Sequence, residues 1–292
     1  TVIAPSLIPQ KPGEKVKTDR RDAIKLAQLF RAGELTGIYV PTEEDEALRD
    51  LVRAREAIKE DRQRTRHRIT KFLLRYNLVF SEKGKKWGTK HRTWLNGLSF
   101  SSPALRIVFQ EYLHQLDELD ERMKRFESEI HRQAEASSKA PVIQALQCFR
   151  GIAELTAVTL VIEIGSFVRF AKARDFMGYT GLVPSERSTG LTRRQGAVTR
   201  TGNPHVRRVL VEAAWCYRYK PAVKGALKNR QQGQPGDIQA TSWKAQHRLH
   251  NKYMKMNGRG KPGGKTTAAI ARELAGFIWA VARRTEVTLQ ES

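Results

Sequence analysis

The chain has 292 residues and 40% hydrophobic content, enough to bury real cores in two or three domains, which excludes a disordered tail. Its 53 lysines and arginines against 30 acids leave a net charge of +23 and a pI near 10.4, so the natural partner is a polyphosphate. Cys148 and Cys216 form no CxxC pair, which excludes a cysteine zinc site and a disulfide framework and suits a reducing cytosol; no apolar run reaches the ~18 residues of a membrane span, and no signal peptide is visible.

The opening "TVIAPSLIP" reads as a short strand entering a turn. Residues 17–32 read as a helix, with Thr18 and Asp19 at its start, apolar surface from Ile24, Leu26, Leu29 and Phe30, and Gly33 as its stop. A short "GIYVP" strand follows. Thr42, with Glu43, Glu44 and Asp45 behind it, makes a capped entry to a long helix. Its Leu48, Leu51, Ile58, Ile69 and Phe72 keep a rough spacing of three and four. After a basic, glycine-containing linker from about 81 to 102, a second long helix places Phe109, Tyr112, Leu116, Leu119, Met123, Phe126 and Ile130 at alternating steps of three and four, which is a heptad seam. The two long helices are expected to pair as an antiparallel coiled coil or to meet a partner chain. Pro141 marks a boundary. Beyond it, "VIQALQCF", "ELTAVTLVIEIG", "AKARDFMGY" and "NPHVRRVLVEAAWCYRY" read as a compact helical domain, and a Gly- and Lys-rich stretch at 257–265 leads to a last helix through Trp279.

Four features could carry chemistry. Asp19 and Asp22, set among arginines and lysines, project from one helical face with β-carbons about 5–6 Å apart, close enough to share a divalent cation. They equally suit a helix N-terminus, whose dipole they complement. Second, residues 181–208, "GLVPSERSTGLTRRQGAVTRTGNPHVRR", combine glycines, six arginines and small hydroxyl residues in a loop ending at Asn203-Pro204. Arg193, Arg194, Arg200, Arg207 and Arg208 could neutralise phosphate. Ser185, Ser188 or Thr189 could be a nucleophile, although no histidine base stands near in sequence; an ordinary solvated basic loop is the plain alternative. Third, the "FRGIAEL" turn could offer helix N–H groups to a phosphate, though such a glycine is usually only a cap. Fourth, "KGKKWGTKHRTW" and "TSWKAQHRLHNKY" mix aromatic rings with cations, as unpaired nucleic acid prefers; His247 and His250 fit that basic face better than a zinc site.

"KTDRRDAIKLAQLFRAGELTGIYVPTEEDEALRDLVRAREA" and "GLVPSERSTG…RRQG…TRTGNPHVRRVLVEAAW" resemble the DEDD-type bacterial transposases of the insertion sequence 110 family, RNA-guided recombinases. The likeness runs along nearly the whole chain. It implies a mainly α fold with a partial α/β N-terminal portion: the C-terminal part of a RuvC-like, ribonuclease-H-type domain at 1–42, the coiled coil at 43–140, and a helical C-terminal transposase domain at 141–292. It further implies that Asp19 and Asp22 are the last two acids of a metal-binding Asp-Glu-Asp-Asp tetrad, served by Mg²⁺. A serine would attack DNA to form a phosphoserine link.

The family's serine commonly precedes a glycine directly, whereas here Thr189 does so and Ser188 stands one earlier. A primary hydroxyl is less crowded, which favours Ser188 over Thr189. The partners implied are DNA, a structured bridge RNA that reads sequence by pairing while the protein reads backbone and shape, and further copies of the chain, as a dimer or tetramer. Arg193, Arg194, Arg200, Asn203, His205, Arg207 and Arg208 would face nucleic acid, in a bacterial cytoplasm. The tetrad's first Asp and its Glu have no counterpart before Asp19, so the chain is expected to be an incomplete, inactive fragment. The competing reading is a non-catalytic nucleic-acid binding and dimerisation protein, which would bind with steep salt dependence and need no metal.

Overall fold

The structure, a computed structural model, describes residues 2–10, 13, 18–81, 85–190, 192 and 194–291. It divides into two compact units, residues 1–46 and 47–292.

In the first unit, α1 (Asp19–Arg31) starts at Thr18, whose side chain accepts from Arg21 N at 3.4 Å, and ends ahead of Gly33 at φ +69°. No residue of α1 is buried within the chain. The two strands expected at either end of this unit reduce to one antiparallel bridge, Ile3 to Gly37, with Ile38 N donating to Val2 O at 2.9 Å. Pro5 explains the brevity: it cannot donate to a ladder, and it opens a 3-10 turn at Pro5–Leu7 instead.

α2 (Glu43–Arg75) begins in that unit, and the division falls within it. Asp45 N donates to Thr42 Oγ1 at 3.2 Å, so Thr42 starts the helix as its sequence implies. In the second unit α2 packs against α4 (Pro103–Ala136). Their contacts climb one helix as they descend the other. Phe72 stacks on Phe109, Thr65 Oγ1 donates to Gln115 at 3.1 Å, Arg62 pairs with Asp120 at 2.5 Å, and Arg55 pairs with Glu127. Ile58 shares a buried cluster with Leu119 and Met123. Paired charges flank an apolar seam, which selects this register over its neighbours.

The stretch expected to be a linker contains α3 (Thr89–Asn96). His91 and Leu95 are buried, and Leu95 joins Ile69, Phe72, Phe100, Phe109 and Leu116 in one cluster. Burial on the α2–α4 pair, rather than local periodicity, holds this short helix.

The rest is a helical core. α6 (Glu154–Ile164) is mostly apolar and buried from Ala157 onward, which marks a central helix. It packs on α4, on α5 (Ala140–Gln147) and on α8 (Pro204–Ala214). α9 (Ala226–Gln231) packs on α5, and α11 (Gly263–Glu291) runs across α5, α7 (Ala173–Tyr179), α8 and α10 (Gly236–Gly258). α11 continues twelve residues past the expected end at Trp279. α10 escapes periodicity because its buried face, Ile238, Ser242, Ala245, Gln246 and Leu249, is half polar. Among the described residues no helix is long and apolar enough to cross a membrane.

Candidate functional site

Ahead of α8, the described residues of the 181–208 stretch form a ribbon where a loop was expected. β1 (Pro184–Glu186) pairs antiparallel with β2 (Gln195–Val198), Pro184 facing Val198 and Glu186 facing Gln195, with an irregularity between. Thr189 and Thr192 form a further bridge near the tip. At its base, Arg200 N donates to Gly181 O at 3.1 Å and Thr199 N to Val183 O at 2.9 Å. Local apolar alternation is missing because both strands are short and largely exposed, so the ladder had no period to announce it.

Strand geometry then sorts the side chains, since successive residues point to opposite faces. Ser185, Arg187 and Thr189 line one cleft with Thr192, Arg194, Gln195 and Gly196. Ser188 turns elsewhere: its hydroxyl donates to Glu186 Oε1 at 3.0 Å, and it accepts from Arg194 N at 3.3 Å. Gln195 Nε2 also donates to Glu186, at 3.4 Å. The two candidate nucleophiles named together by sequence therefore differ in surroundings: Ser188 has a carboxylate at its hydroxyl, and Thr189 stands with exposed guanidinium groups. Glu186 was not singled out in the sequence; only its place two residues before Ser188 could have marked it.

The basic residues separate into two sets. Arg187, Arg194 and Arg200 are exposed, Arg200 with φ +57°. Arg193 lies outside the described residues. Arg207 is turned inward instead, donating to Thr180 O at 3.2 Å and Thr201 O at 3.0 Å, which ties the ribbon's base to α8. Arg208 pairs with Glu212 at 3.0 Å and Glu56 at 3.3 Å, joining α8 to α2.

Asn203 caps α8. Its Oδ1 accepts from His205 N at 2.8 Å and Val206 N at 3.3 Å, while its Nδ2 donates to Glu163 at 2.6 Å. Glu163, its side chain 1% exposed, also takes a two-pronged bond from Arg53 at 2.8 and 2.9 Å. Burial pushes the Glu163 carboxyl up, but the hydrogen bonds of Arg53 and Asn203 and the charges of Arg53 and His205 outweigh it and leave it below the ordinary range. Sequence reasoning missed this buried network, because Arg53 and Glu163 stand 110 residues apart. Half-buried His205 sits beside it.

Asp19 and Asp22 occupy the first turn of α1, the former exposed and the latter half-buried. Their oxygen donors suit Mg²⁺. Among the described residues, however, no group of three or more His, Cys, Asp or Glu side chains stands together, and the helix N-terminus opposes a cation there. The pair fits such an ion by donor type, with most of its shell left to water and phosphate oxygens.

The remaining sequence candidates resolve differently. The "FRGIAEL" turn holds no open anion cradle: a Cβ on Gly151 would lie 2.6 Å from Ala213 O, and Glu154 in the first turn of α6 meets His131 at 2.6 Å. Trp87, His91 and Trp94 cluster with Phe80 where α3 meets α2. His247 packs on Trp243 with ring centroids 4.4 Å apart, and His250 Nδ1 lies 3.1 Å from Tyr217 O.

Comparison with known proteins gives two family matches. The model described as "Transposase IS116/IS110/IS902 family" matches residues 143–226, and a transposase model of the DEDD IS110 type matches residues 6–78. A Sinorhizobium fredii protein named as transposase y4qE is 42% identical over 287 residues, 98% of this chain and 70% of the relative. The transposase for insertion sequence element IS1533 of Leptospira borgpetersenii is 34% identical over 265 residues, 89% of this chain and 76% of the relative.

Proposed function

The chain belongs to the IS110 family of insertion-sequence transposases, and from that premise we propose that its β1–β2 ribbon carries the hydroxyl that attacks DNA, at Ser188. The observation that carries this reading is the 3.0 Å hydrogen bond from Ser188 Oγ to Glu186. A serine hydroxyl is a weak nucleophile until a base takes its proton, and Glu186 is placed to do so. Ser188 Oγ forms a bond to phosphorus, the phosphodiester's bond to one deoxyribose oxygen breaks, and that oxygen leaves with a proton. The phosphoserine diester conserves the broken ester bond, so rejoining is the reverse attack. Exposed Arg187, Arg194 and Arg200 neutralise the flanking phosphates.

Asp19 and Asp22 would hold a divalent metal, taken to be Mg²⁺, with water and phosphate oxygens completing its shell; when bound, the ion would supply positive charge to phosphate oxygens. Asn203, which caps α8 at His205 N, and Arg207 and Arg208 support the ribbon by fixing α8 and the ribbon's base. The partners are duplex DNA and a structured guide RNA, which suit a chain of net charge +23. Further copies of the chain, as a dimer or tetramer in the bacterial cytoplasm, complete the proposed assembly.

A second reading is favoured by the cleft, where Thr189 stands with Arg187 and Arg194. One experiment separates the two. In the transposase as its element encodes it, the covalent adduct formed with donor DNA is digested and the modified residue located by mass spectrometry. Phosphoserine at 188, lost in Ser188→Ala and retained in Thr189→Ala, is the expected result. An adduct at Thr189 or Ser185 moves the nucleophile into the cleft, and no adduct on any hydroxyl of the ribbon sinks the proposal.

A further inference from the structure

At the far end of α8 from the ribbon, the chain passes through a 3-10 turn, Trp215–Arg218. Tyr217 points inward and is fully buried, whereas Trp215 and Tyr219 are 41% and 54% exposed. Between these rings lies the Arg218 guanidinium, 5.6 Å from the Trp215 centroid and 4.7 Å from that of Tyr219, and Arg150 stands 6.0 Å from the Tyr219 centroid. Trp215, Arg218, Tyr219 and Arg150 thus form a surface ladder in which flat rings and flat cations alternate.

The ladder is held firmly. Arg150 Nη1 donates to Tyr219 O at 3.3 Å and Lys220 O at 2.7 Å, Arg218 Nη2 reaches the Tyr219 hydroxyl at 2.6 Å, and Tyr217 anchors the turn in the core. Its Trp215 end lies beside Gly263, the first residue of α11, a glycine flanked in sequence by Lys261 and Lys265. Cation–π contacts at exposed sites stabilise a fold less than burying the indole would. Stability alone does not explain why two rings stay open on a surface this basic.

We infer that the Trp215–Arg218–Tyr219 ladder is a stacking platform for unpaired nucleobases of single-stranded nucleic acid. A base extends the alternation by lying on a ring, and Arg218, Lys220 and Arg150 meet the backbone charge. A duplex cannot use the platform, because its base faces are covered by their own neighbours. The ring face does not read the 2′-hydroxyl, so RNA and DNA strands share the chemistry. From Asn203 to Trp215 α8 rises roughly 18 Å, which makes this contact separate from the ribbon. The inference rests on the nucleic-acid reading above, and on neither the serine nor the metal.

The test is binding of the full chain to fluorescently labelled oligo(dT), oligo(U) and a mixed-sequence duplex of equal length, read by anisotropy at one fixed salt concentration. Trp215→Ala is expected to weaken binding of either or both single strands by about 5- to 100-fold while leaving the duplex unchanged. Trp215→Phe should recover most of the loss, and Tyr219→Ala, at an exposed position, should reproduce part of it. Whichever single strand loses affinity identifies the ligand as DNA, RNA or both. Single-strand affinity unmoved by both alanine variants, or falling in step with duplex affinity, overturns the inference. Duplex binding without single-strand binding overturns it while leaving the ribbon's reading intact; failure to bind any of the three removes the nucleic-acid reading as well.

Discussion

Buried Glu163 and half-buried Glu286 are two carboxylates with opposite responses to pH. Burial raises both, yet Glu163 is answered by a guanidinium and an amide and ends below its ordinary value. Glu286 remains above it despite bonds from Phe167 N at 2.7 Å, Val168 N at 3.0 Å and Ser166 Oγ at 3.2 Å. A depressed folded pKa adds stability that is complete above the unfolded value and lost as pH falls through the folded one. A raised one costs stability as pH climbs past the unfolded value toward the folded one. Glu163→Gln should therefore cost about 1–3 kcal/mol near neutrality and progressively less in acid, whereas Glu286→Gln should lose little at pH 7 or gain. Urea denaturation at pH 7 and pH 4 measures both; equal losses for Glu163→Gln at the two pH values would show that its charge contributes nothing. Residue type revealed the aspartates and hydroxyls of the candidate site. It could not reveal Glu163, Arg53 or Glu186, whose meaning lies in contacts that only the fold creates.

At the scale of elements, the ribbon depends on two glycines at its base. Gly181 and Gly202 have φ +67° and +74°, and a Cβ on them would stand 2.1 Å from Thr201 O and 1.8 Å from Tyr179 O. Backbone cannot retreat as a side-chain tip can, so Gly202→Ala should destabilise by on the order of 2–4 kcal/mol. Gly190→Ala, also at positive φ but with nothing within 4 Å of its added Cβ, should cost only about 1 kcal/mol. Thermal melting compares their stability, and hydrogen exchange reports whether the ribbon's amides lose protection in Gly202→Ala alone. Comparable melting shifts for the two would mean the close approach at the base is not tight. The long helices, by contrast, were legible in the sequence because apolar period and capping agreed at Thr42 and along Phe109 to Ile130. The ribbon, α3 and α10 were not: their signals are few exposed residues, a burial supplied by distant partners, or a half-polar buried face.

At the scale of the whole molecule, a net charge of +23 does not by itself show where nucleic acid lies, because some cations are already spent on the fold. Arg208 meets Glu212 and Glu56, Arg207 holds two carbonyls, and Arg53 holds Glu163. Arg187, Arg194 and Arg200 stand exposed on the ribbon or at its base. Each phosphate neutralised contributes close to one unit to the slope of log affinity against log salt concentration, through counterion release. Replacing Arg187, Arg194 and Arg200 by alanine should accordingly flatten the slope for duplex DNA by about one unit apiece while leaving the melting temperature nearly unchanged. Arg207→Ala and Arg208→Ala should do the reverse, lowering the melting temperature by several degrees on the order of a 1–2 kcal/mol loss with the slope intact. Salt titrations of binding paired with melting curves decide between the sets. A slope reduced as much by Arg208→Ala as by Arg194→Ala would place α8 itself against the phosphates and return its arginines from the fold to the interface.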